Sequence, residues 1–441
     1  VNGFPVKVAA ARAAGALSRR TGRGGTSLPG RLLMRLEPDA IGRLAAPLPQ
    51  GSVVISATNG KTTTAAMVAA ILERTGRRLV HNRAGANMAG GIASALLDHR
   101  GPADLGLFEV DEFWLPQVAA ELHPRALLLA NLFRDQLDRY GELETIADRW
   151  AEVVAAQSGR LVLNADDPLI ADLSSEALFF GVEDTSLALP GLQHASDSKH
   201  CRRCGAPYVY DAVLLGHLGH YHCPNGDSAR PAPAVAATAV ELHGVRAASF
   251  TLRTPAGEAR LELPLPGLYN VYNALGAAAL CTALEVPLDD IAAGLRAVAP
   301  AFGRAETVDV GGRATTLLLV KNPAGANEVL RTLTLEAGEL DLLAILNDRT
   351  ADGRDVSWVW DADFEVIAPR VRHVVCSGTR AAELAVRLKY AGVDPARIEV
   401  VGDLERAVRA ARASGDGPLY ALPTYTAMLE LRRVLGGSAL G

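Results

Sequence analysis

At 441 residues the chain is too long for one hydrophobic core, and roughly 150 residues per domain divides it into two to four. A net charge of −5 argues against a general nucleic-acid binder, and 49% hydrophobic with 21% charged residues describes an ordinary globular protein. No uninterrupted apolar run approaches the ~20 residues that span a bilayer.

The alanine-rich start, Val1 to Leu17, is broken by Lys7 and Arg12 and lacks a clear cleavage site. It reads as an amphipathic helix, not a secretion signal. Arg19 to Gly30, rich in Arg, Gly and Ser, reads as a loop before the first strand.

Val53-Val54-Ile55 predicts a strand and Ala65 to Arg74 a helix. Between them stands Ser56-Ala57-Thr58-Asn59-Gly60-Lys61-Thr62-Thr63-Thr64. Strand, tight turn, Gly-Lys-Thr and helix is the order a phosphate cradle needs, because backbone N–H groups and the helix N-terminus then face the anion. Lys61 is placed to reach outer phosphates, and the Thr62 hydroxyl to sit on Mg²⁺. The full P-loop pattern is not met, since Ile55 stands where its first glycine would be. Capping threonines at an ordinary helix start are the bland alternative.

A second glycine-rich run, Asn82 to Gly91, fits either backbone approach to a ligand or a packing turn. Asp104 to Val110 predicts a buried strand that runs out into Glu109-Val110-Asp111-Glu112. Carboxylates at that edge of an open α/β sheet lie where ligands bind, and Glu109 is the candidate second Mg²⁺ contact. Ala126 to Ala130 leads into Asn131 and Asp135, and Leu161 to Leu163 into Asn164 and Asp166. Three strands ending in polar clusters describe one catalytic edge, although any single Asp there also fits a cap or turn.

Five cysteines suit a reducing compartment better than a disulfide framework. Cys201-Arg202-Arg203-Cys204 is followed by Cys223-Pro224-Asn225-Gly226, a ribbon spacing whose fourth thiolate position holds glycine. His217, His220, His222 and Asp227 lie close enough to replace it in a structural zinc site. A ribbon that has lost its metal and is held by hairpin packing is the alternative.

Ala236 to Leu265 alternates like strands, and Pro266 to Leu275 opens an alanine-rich helix bearing Asn270 and Asn273. After Phe302-Gly303-Arg304-Ala305-Glu306, apolar β-branched runs alternate with helical periodicity, which predicts a doubly wound parallel sheet. Its polar signatures are Lys321-Asn322-Pro323-Ala324-Gly325, Ala351-Asp352-Gly353-Arg354-Asp355-Val356-Ser357-Trp358 and Pro423-Thr424-Tyr425-Thr426.

Thr58 to Thr63 resembles the ATP loop of the Mur ligase superfamily, with Ala57 where members usually carry glycine. The cysteine ribbon and the C-terminal signatures resemble the MurT family within it, from about Gly24 to Leu435. The resemblance implies a P-loop ATPase domain over 46–306 with a ribbon module inserted at 191–235. An N-terminal segment 1–45 precedes it and a C-terminal α/β domain follows at 307–441. It implies that Thr58, Asn59, Gly60, Lys61, Thr62 and Thr63, with Asn270, Asn273 and Arg304, bind ATP, and that Thr62 and Glu109 hold Mg²⁺. Cys201, Cys204 and Cys223 would hold structural Zn²⁺, with the fourth ligand open.

The implied activity is ATP-dependent amidation of the D-glutamate α-carboxylate in the lipid II stem peptide, through an acyl phosphate. Lys61 and Glu109 would serve that chemistry. Cys281 and Cys376 stand in no nucleophile context, so ammonia would come from a GatD-like glutaminase subunit. Asp355 would complete that partner's triad, with Asp352 and Asp361 as competitors. The expected place of action is the cytoplasmic face of the membrane. A Mur- or folate-type ligase adding an amino acid, and a non-catalytic ATP-binding scaffold, are the rival readings.

Overall fold

The structure, a computed structural model, describes residues 3–20, 27–83, 85–135, 143–193, 196–299, 304–310 and 312–435. Eleven strands precede residue 264: β1 (Ser52–Ser56), β2 (Leu79–His81), β3 (Leu105–Glu109), β4 (Ala126–Leu129), β5 (Arg160–Asn164), β6 (Leu178–Val182), β7 (Val209–Leu215), β8 (Leu218–His222), β9 (Val235–His243), β10 (Ala247–Thr254) and β11 (Gly257–Leu263). Nine form one sheet in the order β11-β10-β9-β6-β5-β4-β1-β3-β2, while β7 and β8 make a separate antiparallel ribbon. β1 is buried at every position between parallel neighbours β3 and β4, which is why it reads as an unbroken apolar run.

Helices cover both faces of this sheet. Lys61–Arg74, Leu268–Ala283 and Leu288–Arg296 pack on one side, with Ile71, Val271 and Leu295 in their common core. Ala89–Asp98, Leu115–Leu122 and Leu143–Ala156 pack on the other around Trp150 and Phe108. The helix Leu268–Ala283 is alanine-rich because it is buried on nearly every face and must approach both sheet and neighbouring helix closely.

The expected N-terminal helix is present, whereas the stretch expected as a loop is helical at both its ends. A helix spans Phe4–Arg20, and a second, Leu28–Leu36, replaces part of the expected loop. Pro29 stands in its first turn, and Gly30 lies so near Gly90 that a Cβ there would meet the Gly90 carbonyl at 2.0 Å. Gly90 therefore belongs to packing, whereas Gly85, Asn87 and Met88 from the same run line a cavity.

The second sheet has the order β12-β13-β17-β14-β15-β16, from β12 (Arg304–Asp309), β13 (Ala314–Leu318), β14 (Leu340–Ile345), β15 (Val371–Ser377), β16 (Ile398–Val400) and β17 (Leu419–Pro423). All neighbours are parallel except β12 against β13, so the expected parallel sheet carries one antiparallel edge. Inside it, the carboxylate of Asp341 pairs with the guanidinium groups of Arg313 and Arg372. Arg313 also caps the carbonyls of Ala411 and Gly417 at 2.6 Å, so this buried charge is hydrogen-bonded as well as paired.

The two sheets meet at their polar ends. The Lys321 ammonium lies 2.6 Å from Asp135, and the Asn59 and Asn322 side-chain amides bond each other at 3.0 Å. Arg331 reaches across to the carbonyls of Leu214 and Leu187 at 2.7 and 2.6 Å.

Candidate active site

Between the two sheets lies a cavity of about 550 Å³. The loop after β1 forms its floor, because Gly60 takes a left-handed φ of 88° and turns the chain into the helix Lys61–Arg74. Asn131 clamps the loop from β4's end, accepting from the Asn59 N–H at 2.9 Å and donating to its carbonyl at 3.0 Å. Thr58, besides lining the cavity, accepts from the Phe133 N–H at 3.0 Å. Its neighbours Asn59, Gly60, Lys61, Thr62 and Thr63 line the cavity too.

The Lys61 ammonium is buried, 2.8 Å from Glu112 and within reach of the loop carbonyls of Ala57 and Thr58. Burial by itself would favour loss of its proton. The carboxylates of Glu112 and Asp111 outweigh that and hold its pKa above the ordinary lysine value. Glu112 is likewise kept ionised despite burial, by Lys61 and Lys321. Beside them the Thr62 hydroxyl donates to Glu109 at 2.8 Å, and Asn82 brackets the Glu109 backbone with bonds of 3.0 and 2.8 Å. A hydroxyl and a carboxylate so placed next to a phosphate loop form a hard-oxygen donor set that fits Mg²⁺.

The far wall comes from Leu268–Ala283 and the second sheet. Asn273 lines the cavity, accepts from Thr64 at 3.3 Å and donates to Asn270 at 3.0 Å. Asn270 itself does not line the cavity among the described residues; it donates to the Pro266 carbonyl at 2.8 Å and so braces Asn273. Arg304 opens β12, but its side chain lies outside the described residues, as do Phe302 and Gly303.

The other strand-end polar residues divide. Asp135 lines the cavity with Lys321. Asn164 instead donates to the Ala130 carbonyl at 2.9 Å and accepts from the Asp166 N–H. Asp166 accepts from Arg230 and Tyr272, both at 2.6 Å, and from the Val182 N–H. These two hold sheet edge, ribbon and helix together. Glu112, Lys321 and Glu328 are cavity residues that motif reading did not single out as ligands. For Lys321 and Glu328 the available signal was the polar Lys-Asn-Pro-Ala-Gly stretch at a strand's end.

Asp355 lies apart from the cavity, exposed, with its carboxylate capping the Ser357 N–H at 2.8 Å. That hydrogen bonding with Ser357 lowers its pKa. Of its competitors, Asp352 is buried and accepts from the Thr426 N–H at 2.7 Å, while half-exposed Asp361 sits 3.8 Å from Arg134. Thr350, Ala351 and Tyr425 from the same region line the cavity.

The ribbon brings the Cys201, Cys204 and Cys223 sulfurs within 4.8 Å of one another. Against burial, the backbone N–H groups of Asn225 and Asp227 hold the Cys223 thiol below its ordinary value, whereas Cys204, despite the Ala206 N–H, is pushed up to about 11 by the Asp227 side chain and the neighbouring Cys223. The three histidines considered as a fourth ligand face elsewhere. His217 is buried 4.7 Å from the Phe133 ring and 3.5 Å from Asp167; His220 bonds the Val182 carbonyl; His222 pairs with Asp211. Asp227 reaches Cys204 with its side chain. The donor set fits a soft divalent metal.

Known proteins resemble the chain along nearly its whole length. The Mur ligase middle domain model matches residues 55–225, and the MurT ligase C-terminal model matches 319–428. A subunit of Staphylococcus aureus named lipid II isoglutaminyl synthase (glutamine-hydrolyzing) subunit MurT is 33% identical, covering 96% of each chain. Its namesake in Streptococcus pneumoniae is 31% identical over 94% of this chain and 93% of its own. Among solved structures, a pseudomurein peptide ligase type C from Methanothermus fervidus superposes with TM-score 0.70 at 23% identity, covering 88% of this chain and 79% of its own. The MurF ligase of Thermotoga maritima, in complex with ADP, does so with TM-score 0.64 at 13% identity, covering 91% and 82%. Both share the fold. With both family models matched in order and a 33% identical relative spanning nearly its whole length, the chain belongs to the MurT family of Mur ligases.

Proposed function

We propose that this chain is the synthetase subunit of a two-subunit amidotransferase acting on the lipid II stem peptide. The observation that carries the reading is the meeting of Lys61 and Thr62 with Lys321 around one cavity, Thr62 being bonded to Glu109 beside it, in a chain of this family. The α-carboxylate of D-glutamate attacks the γ-phosphorus of ATP, and ADP leaves. Ammonia then attacks the acyl phosphate carbon, phosphate departs, and a proton is lost to give the amide of D-isoglutamine. Lys61 and the loop N–H groups neutralise charge on the transferring phosphoryl group, while Lys321 offers a second cation from the opposite sheet. Thr62 and Glu109 would hold Mg²⁺, which supplies further charge neutralisation when bound.

Ammonia would reach this site from a separate GatD-like glutaminase. Cys281 and Cys376 are buried, and burial pushes their thiols up, Cys376 to about 12, which suits packing residues and no nucleophile. Asp355 is exposed and ionised, and so is available to orient a histidine on a docked partner. No helix among the described residues is long and apolar enough to cross a membrane, so the lipid-linked substrate would bring the chain to the surface.

The deciding measurement is the mass of lipid II, or a soluble analogue, after incubation with the chain, Mg²⁺-ATP and either ammonium or glutamine plus the glutaminase. Conversion of acid to amide is expected; a mass gain of one amino-acid residue would instead identify an amino-acid ligase, and no product would leave the scaffold reading. Asp355→Ala is expected to lose only the glutamine-driven reaction, by about 10²-fold or more, and to keep the ammonium-driven one. Equal loss in both would remove it from the partner's triad.

Zinc in the ribbon is part of the same reading. Native mass spectrometry is expected to show one bound Zn²⁺ per chain, released by Cys223→Ser, with Asp227→Ala weakening retention. A metal-free wild-type chain would sink it.

A further inference from the structure

The N-terminal helices carry a surface that the cavity does not use. Residues 1–45 hold eight Lys and Arg against two acids, Glu37 and Asp39, a balance of +6 within a chain whose total is −5. The helix Phe4–Arg20 turns Phe4, Val8 and Ala11 inward, toward Leu33 and Leu97. Its outer side would ordinarily be polar. Instead it presents Val6, Ala9, Ala10, Ala13, Ala16 and Leu17, with Val6 73% and Leu17 64% exposed. Arg12 interrupts that side and donates to the Leu97 carbonyl at 2.9 Å. On Leu28–Leu36 the exposed residues Leu28, Arg31, Arg35 and Leu36 fall along one side at helical spacing. Neither helix contains an acid. Lys7 and Arg43 are paired with Glu37, whereas Arg31 and Arg35 meet no carboxylate among the described residues.

We infer that this face docks on an anionic lipid bilayer. Exposed aliphatic side chains interleaved with unpaired arginines suit the boundary between headgroups and acyl chains. The guanidinium groups reach the phosphates while their stems and the Leu, Val and Ala side chains enter the apolar layer. A protein partner would call for aromatic anchors at the centre of the patch. The one aromatic residue in 1–45 is Phe4, and it lies beneath the Arg43 guanidinium, 4.0 Å from ring centre to charge. The position also fits. Arg31 packs on Gly90, where a Cβ would come 2.4 Å from its Cγ, and Met88, two residues earlier, is 40% exposed and lines the cavity. The docking face therefore adjoins the cavity wall. On the amidation reading, the chain would hold itself at the surface where its lipid-linked acceptor lies, alongside whatever affinity the acceptor supplies.

Cosedimentation of the full chain with vesicles of phosphatidylcholine alone, and of equal parts phosphatidylcholine and phosphatidylglycerol, tests this. Binding to the anionic vesicles is expected to be tighter by about tenfold or more, and to weaken as salt is raised. Arg31→Glu with Arg35→Glu should lower it by about tenfold or more, because each arginine near such a surface strengthens binding about fivefold. Arg31→Lys with Arg35→Lys keeps the charge and should stay within about twofold of wild type. Val6→Gln with Leu17→Gln should weaken it by about fivefold through lost apolar burial. Amidation of a soluble acceptor analogue should be unchanged in all three variants. Equal binding to the two vesicle types overturns the inference, as does anionic binding untouched by the glutamate variant. Self-association that Val6→Gln with Leu17→Gln abolishes, with no vesicle binding, would give the face to a second copy instead. The vesicles hold no lipid II, so their result stands apart from the amidation reading, which falls if the wild type amidates no acceptor.

Discussion

Lys61→Ala is expected to lower amide formation by roughly 10³-fold, whether ammonium or glutamine supplies the nitrogen. The ammonium is the loop's own cation, buried beside Glu112 and held protonated by the surrounding carboxylates, so nothing else on the floor replaces it. The same substitution strands Glu112 in a buried position without its partner, at a cost on the order of 3–5 kcal/mol in stability. Activity and stability must therefore be separated. Lys61→Ala combined with Glu112→Gln removes the stranded charge, and should recover most of the thermal stability while recovering none of the activity. Product mass spectra and thermal denaturation of the two variants check both halves. Amide formation within tenfold of wild type in either would take Lys61 out of the chemistry.

Gly60→Ala should be nearly as damaging, for a different reason. Gly60 holds a φ of 88°, and a Cβ there would fall 1.9 Å from Asn273 Oδ1. The left-handed backbone alone costs an alanine about 1–2 kcal/mol. The clash then displaces Asn273, which bonds Thr64 and Asn270 and lies against the loop. The expected result is a drop in thermal stability together with at least a tenfold loss of ATP affinity, since a loop that moves no longer aims its N–H groups at one point. Calorimetry with Mg²⁺-ATP checks it. Undiminished affinity would show that the loop does not depend on its contact with Asn273.

Much of this arrangement was legible in residues close together in sequence. Ser56 to Thr64 carries strand, turn and helix start within one turn's reach, so local pattern and tertiary outcome coincide. Strands such as β1 and β14 are buried throughout and read as apolar runs for that reason. What escaped was set by distant packing. Asp166 looks like one more carboxylate at a strand end, yet Arg230 and Tyr272, far along the chain, turn it into an internal tie. Glu328 looks like a helix residue facing water, and is buried where Arg331 anchors its helix to the carbonyls of Leu214 in the ribbon and Leu187 before it. The helix Leu28–Leu36 was hidden by flanking Arg and Gly, and exists because Gly30 and Gly90 let two helices approach.

The cavity draws its floor from one sheet and Lys321, Glu328 and Tyr425 from the other. A nucleotide seated there is consequently a ligand of both halves at once. By mass action, occupancy at a hundred times the dissociation constant adds about 2.7 kcal/mol to the free energy of unfolding. Because neither half can open without releasing the shared ligand, that increment is common to both. Without ligand, each sheet's melting depends on its own core and on contacts such as Lys321–Asp135 and Asn59–Asn322. Saturation would join the two melting events into one cooperative unit, so the sharpness of a thermal transition, beyond its midpoint, would itself report that the site is filled.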